Sequence, residues 1–364
     1  MTYQIKNAAF AYKPSLMFKA NGTFTFGREP TLRRMPDGSL ISLIYTGGKK
    51  EPHPDNCVGM IRSLDDGKTW TVPEVIFKHP YRCTWGTEIC TETETPFCVF
   101  HTFSYEMLYN EIRTFFSFTK DFGRTWSEPN SPRGLPPVIF RQIKKLSDNS
   151  LLAGVYWQEQ RSGWNHVAEI GLDNWHPGWH WVSGAVKSSD GGKTWSLHGY
   201  FSRKGGSLWE PEVIELEDGH LLMGLRSAVN GILYKTESFD YGNTWTEAVP
   251  SDIPNPGSKF VFYKVKKRIV LVNNFCTPEN RNRYDLQAWV SDDLCRSWRR
   301  KLQLVKICAP SNDNPDIWEN PEEEFVPQAA YPHGFADDEK ATLYLSVDCI
   351  LNFFMIRIPY SDLI

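Results

Sequence analysis

A carboxylate recurs at a fixed place in an eight-residue pattern, Ser/Thr-x-Asp-x-Gly-x-Thr-Trp, which is the most regular set of reactive side chains in the sequence. Intact copies begin at Ser63, Thr119, Ser188 and Ser238, and an altered copy, SDDLCRSW, begins at Ser291. The Asp side chain can accept hydrogen bonds from turn amides, and the Gly supplies a positive φ that other residues resist. We therefore predict that these carboxylates shape hairpin turns and take no part in catalysis.

Histidine and cysteine lie at spacings that predict neither a metal site nor a disulfide framework. His176 and His180 have the separation of a metal-binding pair, but Pro177 and Gly178 between them are incompatible with the helix that would bring the imidazoles together. The 8 cysteines are scattered without zinc-ligand or disulfide spacing, so we expect free thiols. The sequence predicts no metal and no cofactor.

The period of the pattern predicts the architecture that must position any functional side chain. Successive copies begin 56, 69, 50 and 53 residues apart, and a short motif repeated at such a period indicates a repeat fold. Units of this length, rich in short alternating strands and without helical periodicity, suit four-stranded antiparallel propeller blades. Five copies plus one blade shared by the two chain ends predict an all-β, six-bladed propeller that forms a single domain over residues 1–364.

Hydrophobic alternation places eight strands, and the widest gap between copies holds an aromatic-rich segment. The predicted strands are Leu40–Tyr45, Val58–Arg62, Thr114–Phe118, Leu151–Tyr156, Leu221–Arg226, Ile269–Asn273, Leu286–Val290 and Leu343–Val347. The segment near residues 157–181 is predicted to be an insertion on one blade. Its Trp157, Trp164, Trp175 and Trp179 could stack on sugar faces, or the loop could pack on itself.

Charge and hydropathy restrict the classes of partner. A net charge of −3 argues against nucleic acid or an anionic membrane surface as the main partner. No apolar run approaches 18 residues, which predicts the absence of a membrane span. The first residues, MTYQIKNAAF, lack the apolar region of a signal peptide. This is compatible with a cytoplasmic protein or with the mature form of a secreted one.

The motifs between the repeats resemble the sialidase (exo-neuraminidase) family, whose repeated turns are called Asp-boxes. Residues 28–30, Arg-Glu-Pro, take the place of the Arg-Ile-Pro motif of that family. In WEPEVIELEDGHLLMGLRS, Glu210 precedes Arg226 by 16 residues, in the order found in sialidases. Arg283 stands in the Arg-x-x-Leu setting that precedes a late box. Asp55 lies eight residues before the first box, and Tyr331 follows the last one.

The resemblance implies a retaining exo-glycosidase that acts on a glycan bearing a terminal sialic acid. The implied roles are carboxylate binding by Arg28, Arg226 and Arg283, nucleophilic attack by Tyr331, proton removal from it by Glu210, and acid/base catalysis by Asp55. Asp348, near the end of the chain, resembles the acidic residue that orients the first arginine.

The chemistry of sialic acid accounts for these residue types. The sugar carries a carboxylate on its anomeric carbon, which three guanidinium groups can hold with charge-assisted hydrogen bonds. A phenol can attack that carbon without the charge repulsion that a carboxylate nucleophile would meet, so sialidases depart from the usual two-carboxylate mechanism. A free phenol has a pKa near 10 and needs a neighbouring base, for which Glu210 is the candidate.

Two departures from the family pattern keep alternatives open. Glu29 replaces the Ile of the first motif, and Lys49 and Lys50 stand where the family often has a further arginine. These changes favour a related acidic 2-keto sugar as an alternative substrate. A glycosidase acting on a neutral sugar, with Glu210 paired to Asp55 or Glu29, is a second alternative. A glycan-binding propeller without turnover is a third, because fold does not imply activity.

Overall fold

The protein was analysed as a computed structural model that describes residues 2–5, 8–104, 111–160, 179–203, 207–227, 231–308, 328–349 and 351–364. Within these ranges the chain forms 26 strands, arranged in six antiparallel sheets, and one 3₁₀ helix at Tyr360–Asp362. Strands of each sheet contact strands of both neighbouring sheets, so the six sheets form a ring. The predicted six-bladed propeller is confirmed.

The chain begins with three short strands and continues through the first three blades. The initial strands are β1 (Tyr3–Ile5), β2 (Ala8–Phe10) and β3 (Ser15–Lys19). The first blade contains β4 (Gly27–Arg28), β5 (Arg33–Arg34), β6 (Leu40–Thr46), β7 (Cys57–Ser63) and β8 (Glu74–Phe77). The second contains β9 (Cys83–Cys90), β10 (Phe97–Phe103) and β11 (Arg113–Phe118). The third contains β12 (Ile139–Lys145), β13 (Leu151–Gln160), β14 (Trp179–Ser188) and β15 (Ser196–Phe201).

The remaining three blades complete the ring. The fourth contains β16 (Trp209–Glu217), β17 (His220–Arg226), β18 (Ile232–Ser238) and β19 (Val249–Pro254). The fifth contains β20 (Val261–Val265), β21 (Arg268–Asn274), β22 (Asp285–Ser291) and β23 (Arg300–Ile307). The sixth contains β24 (Ala330–Asp337), β25 (Thr342–Asp348) and β26 (Asn352–Pro359).

The sixth blade is completed by a strand from the other end of the chain, as the sequence predicts. β3 pairs antiparallel with β26, and Phe18 is opposite Phe353 in the register. The two rings stack with centroids 5.0 Å apart. β1 and β2 extend the fifth blade at β23. Pairing between distant parts of the sequence therefore closes the ring.

The repeated turns have the hydrogen bonds that their sequence predicts. In the first copy, the Asp65 carboxylate accepts from the backbone amides of Lys68 and Thr69 at 3.0 and 2.9 Å. These bonds, with the one from the Thr69 hydroxyl, lower the pKa of Asp65 to about 2. Gly67 has a φ of +80°. In the other four copies, the backbone amide and the hydroxyl of the residue four positions later likewise donate to the carboxylate of Asp121, Asp190, Asp240 or Asp293.

The box tryptophan can pack between blades. Trp195 lies edge-on to Phe116 of the second blade and Phe140 of the third, with ring centroids 5.8 and 5.3 Å apart. It is 3% exposed. Aromatic pairs in this geometry stabilise a core beyond their buried area. This turn therefore links two neighbouring sheets as well as two strands.

The altered fifth turn makes a stability prediction. Cys295, in the position of the box glycine, has a φ of +63° and donates its amide to the Ser291 hydroxyl at 2.9 Å. A side chain in this left-handed conformation costs about 1–2 kcal/mol. We expect Cys295→Gly to raise the free energy of unfolding by about 1 kcal/mol, measured by denaturant titration.

The intact fourth turn supplies the matched control. A Cβ placed on Gly242, whose φ is +82°, would lie 2.3 Å from Leu152. Gly242→Ala is therefore expected to destabilise the protein. An unchanged or lower stability of Cys295→Gly would show that the thiol contributes more by packing than the backbone conformation costs.

A buried ion pair lies between the inner strands. Arg33 of β5 donates to the Glu88 carboxylate of β9 at 2.8 Å, and both side chains are at most 10% exposed. Arg33 also donates to the carbonyls of Ile89 and Gly334. These contacts connect the first, second and sixth blades near the centre of the ring.

Candidate functional site

The inner strands of three blades share a backbone irregularity close to the point where each strand begins. Glu29, Glu210 and Tyr331 each precede a proline and have φ values of +47°, +45° and +49°. In the fourth and sixth blades the strand pairing shifts register at this point. Such bulges interrupt the ladder and redirect side chains, and they are common beside active sites. The side chains of Glu29, Glu210 and Tyr331, from three different blades, lie at these irregular positions.

Two arginines lie against the Tyr331 ring. The guanidinium carbons of Arg28 and Arg283 are 4.8 and 5.2 Å from the ring centroid. Arg283 Nη1 donates to the Tyr331 hydroxyl at 3.2 Å, and Nη2 donates to the carbonyl of Gly257 at 2.9 Å. Tyr331 is 6% exposed, and its hydroxyl and ring are therefore flanked by two guanidinium groups.

The third arginine, Arg226, forms a hydrogen-bonded ion pair with Glu210, the predicted base. Arg226 Nη1 donates to Glu210 Oε2 at 2.6 Å, and its guanidinium stacks 4.8 Å from the Trp209 ring. Burial alone would raise the pKa of Glu210, but Arg226 and Arg141 outweigh it and lower the pKa below its ordinary value. The carboxylate is therefore ionised and able to accept a proton.

Asp348 contacts the first arginine, as the sequence predicts for an orienting residue. Its Oδ2 lies 3.6 Å from Arg28 Nε and accepts the backbone amide of Glu29 at 3.0 Å. Burial alone would lower the pKa of Arg28, but Asp348 and then Glu51 raise it. The structure thus gathers Arg28, Arg226, Arg283, Tyr331, Glu210 and Asp348 at one place.

Asp55 lies apart from this group. Its side chain is 61% exposed and pairs with Lys78 Nζ at 3.2 Å, and its Oδ2 lies 3.6 Å from His53 Nδ1. The His53 ring also accepts the Asp55 amide, which fixes the turn outward. Within the described ranges, no hydrogen bond or ion pair joins Asp55 to Tyr331 or to the three arginines.

Glu51, on the same loop, lies beside the arginines and was not selected from the sequence. Its Oε2 is 3.9 Å from Arg28 Nε and is buried without a hydrogen-bond partner among the described residues. Burial raises the pKa of Glu51 to about 7, against the opposing effect of Arg28. Glu51 directly precedes Pro52 in the EPHPD loop, and the family spacing pointed to Asp55 instead.

Arg141 and Lys259 are two further buried cations at this end of the ring. Arg141 lies within the register shift of β12, and Lys259 precedes β20. Arg141 Nη1 lies 3.5 Å from Glu29 Oε2. Burial, followed by the charge of Arg141, lowers the pKa of Lys259 to about 8. Neither residue belongs to a motif, so sequence reasoning did not find them.

The aromatic-rich segment is described only at its edges. Trp157 donates to Glu159 at 2.8 Å and packs edge-on to Tyr200, so its ring contacts its own blade. Trp164, Trp175 and His176 lie outside the described residues, as does the side chain of Trp179. The described residues contain no cluster of three or more potential metal ligands. The 8 cysteines are free, and no described helix has the length and apolarity to cross a membrane.

Comparison with known proteins relates the chain to a family and a fold. It matches the BNR repeat-like domain over residues 38–339. A sialidase of Bacteroides fragilis (strain YCH46) is 29% identical over 132 residues, which are 34% of this chain and 23% of that protein. The chain thus matches less than a quarter of the length of this curated relative.

Crystal structures with the same fold cover nearly the whole chain. A protein of unknown function from Dyadobacter fermentans DSM 18053 has a TM-score of 0.72 and 15% identity, with 97% of this chain and 100% of that one covered. The K499G mutant of the NanB sialidase from Streptococcus pneumoniae has a TM-score of 0.68 and 13% identity, with 97% and 71% covered. At these identities the likeness shows the propeller fold alone.

Proposed function

Because the chain belongs to the family of BNR repeat-like domains, we propose that it is a retaining exo-glycosidase that removes a terminal sialic acid or a related carboxylated 2-keto sugar from glycans. Arg28, Arg226 and Arg283 all interact with Tyr331, and Arg226 also donates to Glu210; this convergence carries the proposal. A neutral sugar would bring these guanidinium groups no carboxylate beyond those of Asp348, Glu51 and Glu210, which already contact Arg28 and Arg226. The arrangement therefore favours a sugar acid over the neutral-sugar alternative.

The arginines would hold the substrate carboxylate. Arg28, Arg226 and Arg283 come from the first, fourth and fifth blades, so they can approach one anion from different directions. Asp348 and Glu210 fix two of the guanidiniums before substrate arrives. Preorganised charge-assisted donors bind a carboxylate without further ordering cost. The anomeric carbon beside that carboxylate would then face Tyr331.

The chemical step follows from these positions. Tyr331 Oη attacks the anomeric carbon as its proton passes to the Glu210 carboxylate, and the bond to the leaving oxygen breaks. A carboxylic acid gives that oxygen its proton, and the tyrosyl glycoside remains. The carboxyl group that protonated the leaving oxygen, now ionised, takes a proton from water. This water displaces the phenol, and Tyr331 recovers its proton from Glu210. Two inversions at the anomeric carbon give overall retention.

Two carboxyl groups of one loop compete for the acid/base role. Asp55 matches the family spacing, whereas Glu51 lies beside Arg28. A pKa of about 7 lets Glu51 donate a proton near neutral pH and take one back in the second step. We assign the role to Glu51 and keep Asp55 as the alternative.

A pH profile distinguishes the two carboxyl groups. Because the protonated acid is the active form, kcat/KM on an unactivated sialoside should fall as pH rises through about 7. Glu51→Gln should lower kcat by about 100-fold or more and remove that limb. It should affect an aryl glycoside less, since a good leaving group needs little protonation. Asp55→Asn is the matched control, and removal of the limb by this variant would return the role to Asp55.

Turnover and stereochemistry test the proposed function. We expect the protein to release the fluorophore from the 4-methylumbelliferyl α-ketoside of N-acetylneuraminic acid or of a related 2-keto sugar acid. Proton NMR of the first product should show the α-anomer before it mutarotates. The β-anomer would contradict the covalent mechanism. Cleavage of neutral aryl glycosides only, or saturable glycan binding without product, would support the two rival functions.

A further inference from the structure

A pair of opposite charges lies beside the proposed carboxylate site. Glu29 follows Arg28 directly in the chain, and its Oε2 lies 3.5 Å from Arg141 Nη1 of the third blade. Glu29 is 8% exposed and Arg141 is 2% exposed. Lys259 interacts electrostatically with both. The position that the sequence resemblance gives to isoleucine thus holds a charge with a built partner.

Arg141 has hydrogen-bond donors that the described structure does not use. Its Nε and Nη2 are buried without a hydrogen-bond partner, and the nearest carboxylate to Nε, that of Glu212, is 3.5 Å away. Buried guanidinium donors are nearly always satisfied by protein, water or ligand. Both Glu212 carboxylate oxygens are also buried without a hydrogen-bond partner. This part of the ring therefore offers donors and acceptors together.

A hydroxyl group suits such a pair. It can donate its proton to the Glu29 carboxylate while its oxygen accepts from Arg141. An N-acetyl group also has a donor and an acceptor, but it is larger and would bury its methyl group against two charges, which costs free energy that a hydroxyl group does not. Sites built to hydrogen-bond a hydroxyl discriminate strongly against analogues that lack it.

We propose that the Glu29–Arg141 pair selects 2-keto sugar acids whose ring carries hydroxyl groups over those that carry an N-acetyl group. This inference rests on the proposed function, because it places the substrate carboxylate at the three arginines beside Glu29. It narrows the substrate class to a 3-deoxy-2-keto sugar acid without N-acylation. Arg141 and Glu29 are specificity residues in this assignment and take no part in bond cleavage.

Binding measurements test the selection without requiring turnover. The probes are the 2,3-dehydro-2-deoxy forms of two nonulosonic acids that differ only at carbon 5, which carries a hydroxyl in one and an N-acetyl group in the other. Calorimetry with the wild-type protein should show about ten- to a hundredfold tighter binding of the hydroxyl compound. Glu29→Ile should remove the preference by weakening that compound selectively, and Glu29→Gln should retain part of it.

The controls separate this proposal from the one on which it rests. Glu217→Ile, at an exposed glutamate of β16, should leave both affinities unchanged. Equal affinities in the wild type, tighter binding of the N-acetyl compound, or binding of neither compound would overturn the selection. Selective binding without hydrolysis of either ketoside would support the selection and refute the proposed activity. Thermal unfolding of each variant identifies losses that come from misfolding.

Discussion

Tyr331→Phe is expected to lower kcat by about 10⁴-fold or more, because the variant keeps the ring under Arg28 and Arg283 but loses the attacking oxygen. Arg283 Nη1 loses the Tyr331 hydroxyl as a partner, but Nη2 still donates to the Gly257 carbonyl and holds the guanidinium in place. Substrate affinity should therefore change little. The measurement is single-turnover release of the fluorophore, with affinity for a non-hydrolysable sugar acid determined in parallel.

The matched control removes a hydroxyl of the same chemistry away from the site. Tyr360 donates to Asp338 at 3.0 Å in a different part of the sixth blade. Tyr360→Phe should retain wild-type kcat. If Tyr331→Phe kept activity within tenfold of the wild type, another nucleophile or a direct attack by water would have to replace the tyrosyl intermediate.

Arg33→Met should destabilise the protein by about 3–5 kcal/mol, because it leaves the fully buried Glu88 carboxylate without its cation. For a chain of 364 residues this corresponds to a fall in Tm of about 4–7 °C. The measurement is thermal unfolding at pH 7 and low ionic strength. Arg124→Met, at an ion pair with Asp37 where the arginine is 55% exposed, should change stability by less than about 1 kcal/mol.

The same pair gives stability a dependence on pH. Burial alone would raise the pKa of Glu88, but Arg33 and His333 lower it to about 2. The unfolded chain has the ordinary glutamate pKa near 4.3. The ionised carboxylate therefore stabilises the fold above about pH 4, and this stabilisation is lost as pH falls toward 2. Arg33→Met should flatten that part of the profile, and an unchanged acid limb would contradict the role of the pair.

The middle strands of the blades could be predicted from local patterns. Each of the eight predicted strands lies within an observed strand, because apolar residues dominate strands that neighbouring blades cover on both faces. The four intact turns and the altered one follow β7, β11, β14, β18 and β22. The innermost strands escaped detection. Residues 28–34 and 330–337 contain proline and charged or polar residues, which local propensity assigns to loops.

The candidate site also contains residues that local motifs identify and residues that only the folded ring brings in. Tyr331, Glu210 and the three arginines could be selected because each occupies a recognisable place relative to a turn motif. Glu51 and Arg141 could not, since only the bulged inner strands and the closed ring bring them beside Arg28 and Glu29. Spacing in the chain also favoured Asp55, whereas the turn held by His53 directs that carboxylate to solvent.

The pairing of β3 with β26 also sets the order of events during synthesis. Residues 15–19 leave the ribosome more than 300 residues before their partners at 352–355. The pairing of β3 with β26 therefore cannot form until synthesis is nearly complete. Tyr331 and Asp348 belong to the blade that this late pairing completes. Contacts over such a sequence separation form slowly. A nascent chain that lacks its last strand would therefore have five blades in place and no assembled site.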